Sequence, residues 1–485
     1  MAVPVQSDRS GATDVGEAEQ YDVVVVGGGP TGENVADRTA AAGLRTALVE
    51  HQLVGGECSY WACMPSKALL RPHAAAAHGR AVAGVTVDGA LDPVAVLARR
   101  DAFADHWKDD DQVAWLDGAG IDLVRGHGRL TGERTVAVDG GRTLTARHAV
   151  VLCTGSVPVL PDVPGLAKAR PWTNRQATGA RQVPGRLAVV GGGVVAAEMA
   201  TAWRSLGSEV TLLVRGGGLL GRMEPFAGEM VADGLAAAGV DVRRHTAVTA
   251  VRRDADGVRL TLGDGSTVEA DEVLYATGRR PATGDLGLES VGLEPGSWPE
   301  VDDSCTVTGV PGGWLYAAGD LNHRALLTHQ GKYQARIAGA VIAARARGER
   351  PGAERWSAYA ATADTAGPPQ VVFTEPEAAS VGLTLAAAEA AGLRVQAVDH
   401  DLGAVSGAKL YADGYTGRAR MVVDLEREVV VGATFVGPGV AELLHAATVA
   451  VVGEVPLTRL WHAVPAFPTV SEVWLRLLET YRDGG

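Results

Sequence analysis

Two stretches of this chain each carry a short β-branched run, a glycine turn and an apolar helix. Residues 21 to 50 read YDVVVVGGGPTGENVADRTAAAGLRTALVE. Asp22 to Val26 suits a buried parallel strand. It breaks into Gly27-Gly28-Gly29-Pro30-Thr31-Gly32, which fits G-x-G-x-x-G with Gly27, Gly29 and Gly32 in the three places. A helical stretch follows, then a second strand, Thr46 to Val49, ending in Glu50. The glycines permit a tight turn and close approach to a pyrophosphate at the helix N-terminus. Glu50, eighteen residues after Gly32, is placed to bond a ribose hydroxyl. A glycine fingerprint alone is often just a loop; strand, fingerprint, helix, strand and terminal acid together predict a dinucleotide site.

The pattern returns at 187 to 215, LAVVGGGVVAAEMATAWRSLGSEVTLLVR, with Gly191, Gly193 and Ala196 in the three places. Here the second strand ends in Val214-Arg215, without an acid. A carboxylate repels a 2′-phosphate and an arginine pairs with one, so this site favours NADPH, with NADH still possible. Arg222 can add a second charge if Gly216-Gly217-Gly218 lets it reach. The alternative is that Arg215 is a solvated surface residue.

At 485 residues the chain exceeds one hydrophobic core, and two to four domains are expected. A net charge of −13 without a Lys/Arg-rich block argues against nucleic acid as a partner. The start, MAVPVQSDRSGATDVGEAEQ, lacks the apolar core of a signal peptide and reads as a short flexible tail. No apolar run approaches the roughly 18 residues that span a bilayer, so a cytoplasmic address without membrane attachment is expected. Four cysteines are too few for a secreted disulfide scaffold.

Two of them, Cys58 and Cys63, stand five positions apart in GGECSYWACMPSK, Gly55 to Lys67. They are a working redox pair, a metal site or buried thiols. Zinc is disfavoured because no second C-x-x-C or suitably spaced histidine pair completes four ligands, and no metal is expected. Cys153 and Cys305 read as buried or loop cysteines.

Further motifs follow in order: Cys153-Thr154-Gly155-Ser156 after a strand, Ala276-Thr277-Gly278-Arg279-Arg280-Pro281, Ala317-Ala318-Gly319-Asp320, and Leu327-Thr328-His329-Gln330. With the two fingerprints and the cysteine segment ending in Pro65-Ser66-Lys67, the chain resembles the class I pyridine nucleotide–disulfide oxidoreductases from about Tyr21 to about Tyr481. That family includes dihydrolipoamide dehydrogenase, glutathione reductase and mercuric reductase.

The resemblance implies an α/β fold with two Rossmann-like dinucleotide-binding domains plus a C-terminal α+β dimerisation domain. An FAD-binding domain over 15–165 would resume over 285–352, with an NAD(P)-binding domain over 166–284 inserted and the dimerisation domain over 353–485. In that last part, RARMVVDL and EVVVGATFVG suit antiparallel strands. FAD and NADPH are the implied cofactors and a homodimer the implied assembly, with each active site built from both subunits. Asp320 is expected at the flavin's ribityl chain; Thr154, Gly155, Gly278 and His329 join the cofactor-binding set, the helix start at 327–330 lying near the flavin's pyrimidine end. By family position Cys63 is the flavin-side thiol and Cys58 the interchange thiol that meets a substrate. Lys67 is expected to pair with Glu198 near the flavin's reactive nitrogen. Electrons would run from NADPH through FAD to the Cys58–Cys63 disulfide and outward.

Two departures matter. Ser59-Tyr60-Trp61-Ala62 stands where the family commonly has a small residue, Asn, a β-branched residue and Gly; Tyr60 and Trp61 either wall a site for a flat substrate or fill core volume. Near the C-terminus, members acting on disulfides carry a histidine, given across the dimer and oriented by a glutamate, that protonates the leaving thiolate. This chain reads Pro465-Ala466-Phe467-Pro468-Thr469-Val470-Ser471-Glu472, matching the family at Pro468, Thr469, Ser471 and Glu472 but with Phe467 in place of the histidine. General acid–base assistance is worth about 10²–10⁴-fold, so ordinary lipoamide or glutathione turnover should be poor. His462 can swing in or be a surface residue; Glu472 can act alone as acid or base or remain as a structural remnant. Mercuric reductase also lacks this histidine but collects its ion with a C-terminal cysteine pair, and this chain ends LETYRDGG.

The leading expectation is an FAD- and NADPH-dependent reductase passing electrons to a small-molecule acceptor that is not a standard disulfide: a quinone, another conjugated electrophile or a metal ion. A specialised disulfide or dithiol oxidoreductase and a redox-sensing flavoprotein are the alternatives.

Overall fold

Val23, Val24 and Val25 have no exposed surface, because the strand they form, Glu19–Val26, has a parallel neighbour on each side. A computed structural model describes residues 18–484; the tail expected from the first residues lies outside the described residues up to position 17. The first sheet has seven strands. Its order runs Asp122–Arg125, Thr46–Glu50, Glu19–Val26, Arg142–Leu152, Thr135–Val138, Gly128–Gly132. The long strand Arg142–Leu152 forks. Its first half pairs antiparallel with Thr135–Val138, while its end takes Leu315–Ala317 as a parallel neighbour. The chain thus leaves this sheet, builds a second one, and returns to complete the first.

The second sheet is four parallel strands in the order Asp241–Arg243, Glu209–Leu213, Arg186–Val190, Glu272–Tyr275. An antiparallel set, Val248–Asp254, Gly257–Leu262 and Thr267–Ala270, accompanies it. The short strands Ser156–Pro158 and Arg279–Pro281 pair antiparallel where the chain crosses between the two units. The third sheet is antiparallel throughout, with five strands from Gln370–Val372 to Val395–Asp401. Its strands Arg418–Asp424 and Val429–Gly437 are the two alternating runs read from the sequence. The architecture is therefore α/β with two Rossmann-like units and a C-terminal α+β unit.

One helix contact positions the site. Thr328–Ala346 lies on Pro30–Ala41, the helix that follows the first glycine turn. Glycines let the two backbones close up: a Cβ on Gly331 would stand 2.3 Å from Thr31 Oγ1, and one on Gly339 2.6 Å from Arg38 Cβ. Any side chain there would push the helices apart.

Candidate active site

The first glycine turn is built for a ligand that approaches the backbone. Gly27 has a φ of +105°, and a Cβ on it would lie 2.5 Å from the Cys153 carbonyl oxygen; on Gly32 it would lie 1.8 Å from the Gly27 oxygen. Glu50 is buried at the end of the second strand. Its carboxylate accepts from Gly28 N at 2.7 Å and Gln52 N at 2.6 Å. Burial raises this carboxyl, but His51 and the two backbone donors outweigh it and hold it below the usual carboxylate range. A single cleft runs from Glu50 past Gly27, Gly29, Thr154 and Gly155 to Cys58, Trp61, Thr328 and Asp320. At its far end Ser156 Oγ donates to Asp320 at 2.6 Å. Burial pushes Asp320 up, against Ser156 and an Arg279 guanidinium 3.9 Å away. A glycine cradle at one end, an acid beyond it and the Cys58 thiol at the other fit a bound flavin dinucleotide.

The second turn repeats the device. A Cβ on Gly191, whose φ is +142°, would meet the Ala276 carbonyl oxygen at 2.3 Å, and Ala196 is fully buried in the third place. Gly191, Gly193, Gly278, Arg215 and Arg222 line one cleft, so the Gly216–Gly218 loop does bring Arg222 to the same wall as Arg215. Arg243 close by is tied to Asp241 at 2.7 Å, whereas Arg215 and Arg222 meet no described carboxylate. Two unpaired guanidiniums in a dinucleotide cleft fit a 2′-phosphate. Arg279 lines both clefts.

Cys58 sits in the short helix Gly56–Tyr60, and Cys63 opens the long helix Cys63–Arg80. The two thiols are within hydrogen-bonding reach of each other. The hydrogen bond from Cys58 holds Cys63 below the ordinary thiol value against the effect of burial, aided by Thr328 and Lys67. The same bond and burial push Cys58 up. Thr328 Oγ1 lies 3.2 Å from Cys63 Sγ. Lys67 Nζ donates to Glu198 Oε2 at 2.7 Å, as expected from the sequence, and Glu198 is almost fully buried. The other Glu198 oxygen accepts from Phe373 N at 3.1 Å, and the Lys67 ammonium lies 5.1 Å from the Phe373 ring centroid. Three units therefore meet at one ion pair.

One cluster escaped the sequence reading. Glu57, directly before Cys58, accepts from Asn174 Nδ2 at 2.7 Å and from Arg175, with Arg279 at 3.6 Å. An acid beside a thiol in a glycine-rich loop was the available signal; its partners, more than a hundred residues away, were not visible. Tyr60 fills core volume: it is 2% exposed and its hydroxyl donates to Val54 O at 2.9 Å. Trp61 lines the cleft, but Arg175 covers one face at 4.2 Å from the ring centroid. His329 turns its ring to Pro369 O at 2.8 Å; of that segment, Leu327 and Thr328 line the flavin cleft. Cys153 and Cys305 are buried, and burial drives both thiols up. Among the described residues no cluster of three or more His, Cys, Asp or Glu side chains is placed to hold a metal ion.

Phe467 is 73% exposed, on a loop with exposed His462 and Val464. Glu472, five residues on, is buried. Arg476 donates to Oε1, and Oε2 is buried without a hydrogen-bond partner. None of Phe467, His462 and Glu472 lines the cysteine cleft of its own chain.

The chain belongs to the pyridine nucleotide-disulphide oxidoreductases: the family's sequence profile matches residues 21–345, and its dimerisation domain matches 368–477. It is an FAD-dependent oxidoreductase of a family that uses FAD and NAD(P)H. Among curated relatives, mercuric reductase of Staphylococcus aureus is 30% identical, covering 95% of this chain and 82% of its own. Dihydrolipoyl dehydrogenase 3 of Pseudomonas aeruginosa is 32% identical over 89% of this chain and 91% of its own. Among solved structures, LpdA of Mycobacterium tuberculosis superposes with a TM-score of 0.80 at 25% identity, covering 96% of this chain and all of that one. The Cu(II) complex of the flavoprotein disulfide reductase RclA of Escherichia coli shares the fold, with a TM-score of 0.81 at 22% identity over 95% of this chain and 99% of that one. No helix among the described residues is long and apolar enough to cross a membrane.

Proposed function

We propose that this chain is an NADPH-dependent flavoprotein reductase whose Cys58–Cys63 pair passes electrons to an acceptor needing no proton from the enzyme. A metal ion meets that condition outright, and a quinone or another conjugated electrophile meets it by taking its protons from water. The observation that carries this reading is the C-terminal segment: Phe467, at the position where the family carries its proton donor, is exposed, and the buried Glu472 Oε2 has no hydrogen-bond partner. Thiol–disulfide exchange depends on stabilising a leaving thiolate, and phenylalanine offers no proton for that purpose.

Bound FAD supplies two-electron exchange between the nicotinamide and the thiols. The chain's residues do the rest. Arg215 and Arg222 select the 2′-phosphate of NADPH, and the glycine turns admit both pyrophosphates to the backbone. Lys67, fixed by Glu198 and the Phe373 N–H, holds a positive charge beside the flavin end of the cleft. Cys63 is kept as the more acidic thiol, leaving Cys58 to meet the acceptor. The setting we infer is the cytoplasm, where such a pair cycles instead of standing as a structural cross-link.

The test is steady-state turnover of the purified holoenzyme with NADPH and a soluble naphthoquinone, against the same enzyme with lipoamide and with oxidised glutathione. Quinone reduction outpacing both disulfides is expected; fast lipoamide turnover with negligible quinone reduction would overturn the proposal. A second reading, a dithiol oxidoreductase with Glu472 as a lone base, draws on the buried free oxygen of Glu472. It requires that Glu472→Gln abolish lipoamide turnover while leaving quinone reduction intact.

A further inference from the structure

With Phe467 where the family carries its histidine, the charge that helps Cys58 is sought elsewhere. Thr328, the first residue of helix Thr328–Ala346, already touches the pair through Cys63 Sγ at 3.2 Å. Lys332 is four residues further on, so it shares a helix face with Thr328. Side chains on a helix lean toward its N-terminus, so a lysine stem at this position can reach back toward Thr328 and the thiols. Lys332 is exposed and, unlike Lys67, forms no ion pair with a described carboxylate. Against the Cys63 bond and burial, which push the Cys58 thiol up, Thr328 and the Lys332 ammonium draw it down.

The same ammonium has a second client. Glu33, on the helix packed against this one, is 9% exposed, and its Oε1 is buried without a hydrogen-bond partner. Burial pushes Glu33 up to about 7; Lys332 opposes that, and the neighbouring Glu50 reinforces it. The other charges around the thiols are already matched. Lys67 is paired with Glu198, and Glu57 is held by Arg175 with Arg279 nearby.

We propose that Lys332 is the positioning cation for the interchange thiol Cys58, in place of the missing histidine, and that Glu33 sets how much of its charge reaches the sulfur. This rests on Cys58 and Cys63 being a working pair, but not on which acceptor they serve.

The experiment uses FAD-loaded enzyme reduced anaerobically by two electrons. Cys58 alkylation by iodoacetamide is followed by peptide mass spectrometry between about pH 7 and pH 11, since only the thiolate reacts and this thiol is raised. In Lys332→Met the pH midpoint should rise by about one unit, making alkylation near neutrality about tenfold slower. Lys332→Arg should restore it, and Glu33→Gln should move it down. An unmoved midpoint in Lys332→Met, or a shift that Lys332→Arg leaves uncorrected, overturns the proposal. The long-wavelength thiolate-to-flavin absorbance of the unsubstituted enzyme separates the two readings. If that band never forms, the working-pair premise fails; if it forms and the Lys332→Met midpoint is unmoved, the role of Lys332 alone fails.

Discussion

At the scale of single residues, the C-terminal loop gives the sharpest expectation. Phe467→His would restore an imidazole at the family's position, five residues before a glutamate whose Oε2 is buried and unpartnered. We expect lipoamide turnover to rise by about tenfold or more, toward the range general acid–base assistance supplies, with quinone turnover little changed; parallel steady-state assays check it. Glu33 supports a second prediction. Its carboxyl is lifted by burial from an ordinary 4.5 to about 7. The folded state therefore binds this proton more tightly than the unfolded chain, and the associated stability is present at low pH and lost as pH rises through 7. Glu33→Gln removes that loss. The variant's stability advantage should widen by about 2 kcal/mol between about pH 5.5 and pH 8, read as a growing gap in thermal midpoint.

At the scale of elements, both glycine turns were legible because each needs residues that only a few amino acids can be. Gly27 and Gly191 sit at positive φ against a carbonyl from the next strand, and that leaves a mark in the sequence. The sequence also pointed to Glu50 and Arg215 as cleft residues, and both line the clefts, since charge at that register has few uses. What could not be read was contact between elements distant in sequence. The Glu57 cluster, the Thr328–Cys63 contact and the Glu33–Lys332 relation each join helices or loops far apart along the chain. Neither partner is unusual in its own neighbourhood. Tyr60 went unresolved because an aromatic looks the same whether it walls a site or fills a core. The second cleft yields its own test. Arg215→Ala with Arg222→Ala should raise KM for NADPH by about tenfold or more while leaving that for NADH nearly unchanged, because only the 2′-phosphate loses its partners.

At the scale of the molecule, the expected architecture was readable from motif order, while the way its units touch was not. The family's dimerisation domain lies at the C-terminal end of the chain, and the loop carrying Phe467 exposes apolar surface there, with Val464 at 84%. We expect Val464→Asp to weaken the homodimer, seen as a monomer by light scattering, with FAD retained but acceptor turnover lost. The junction at Glu198 has a different consequence. The C-terminal unit reaches the Lys67–Glu198 pair through the main-chain N–H of Phe373. A backbone donor is the same for every residue but one, so evolution can vary position 373 without disturbing this tether. Proline alone lacks the hydrogen, and a Phe373→Pro chain would leave one oxygen of a buried carboxylate unheld while every charged residue of the site remained in place.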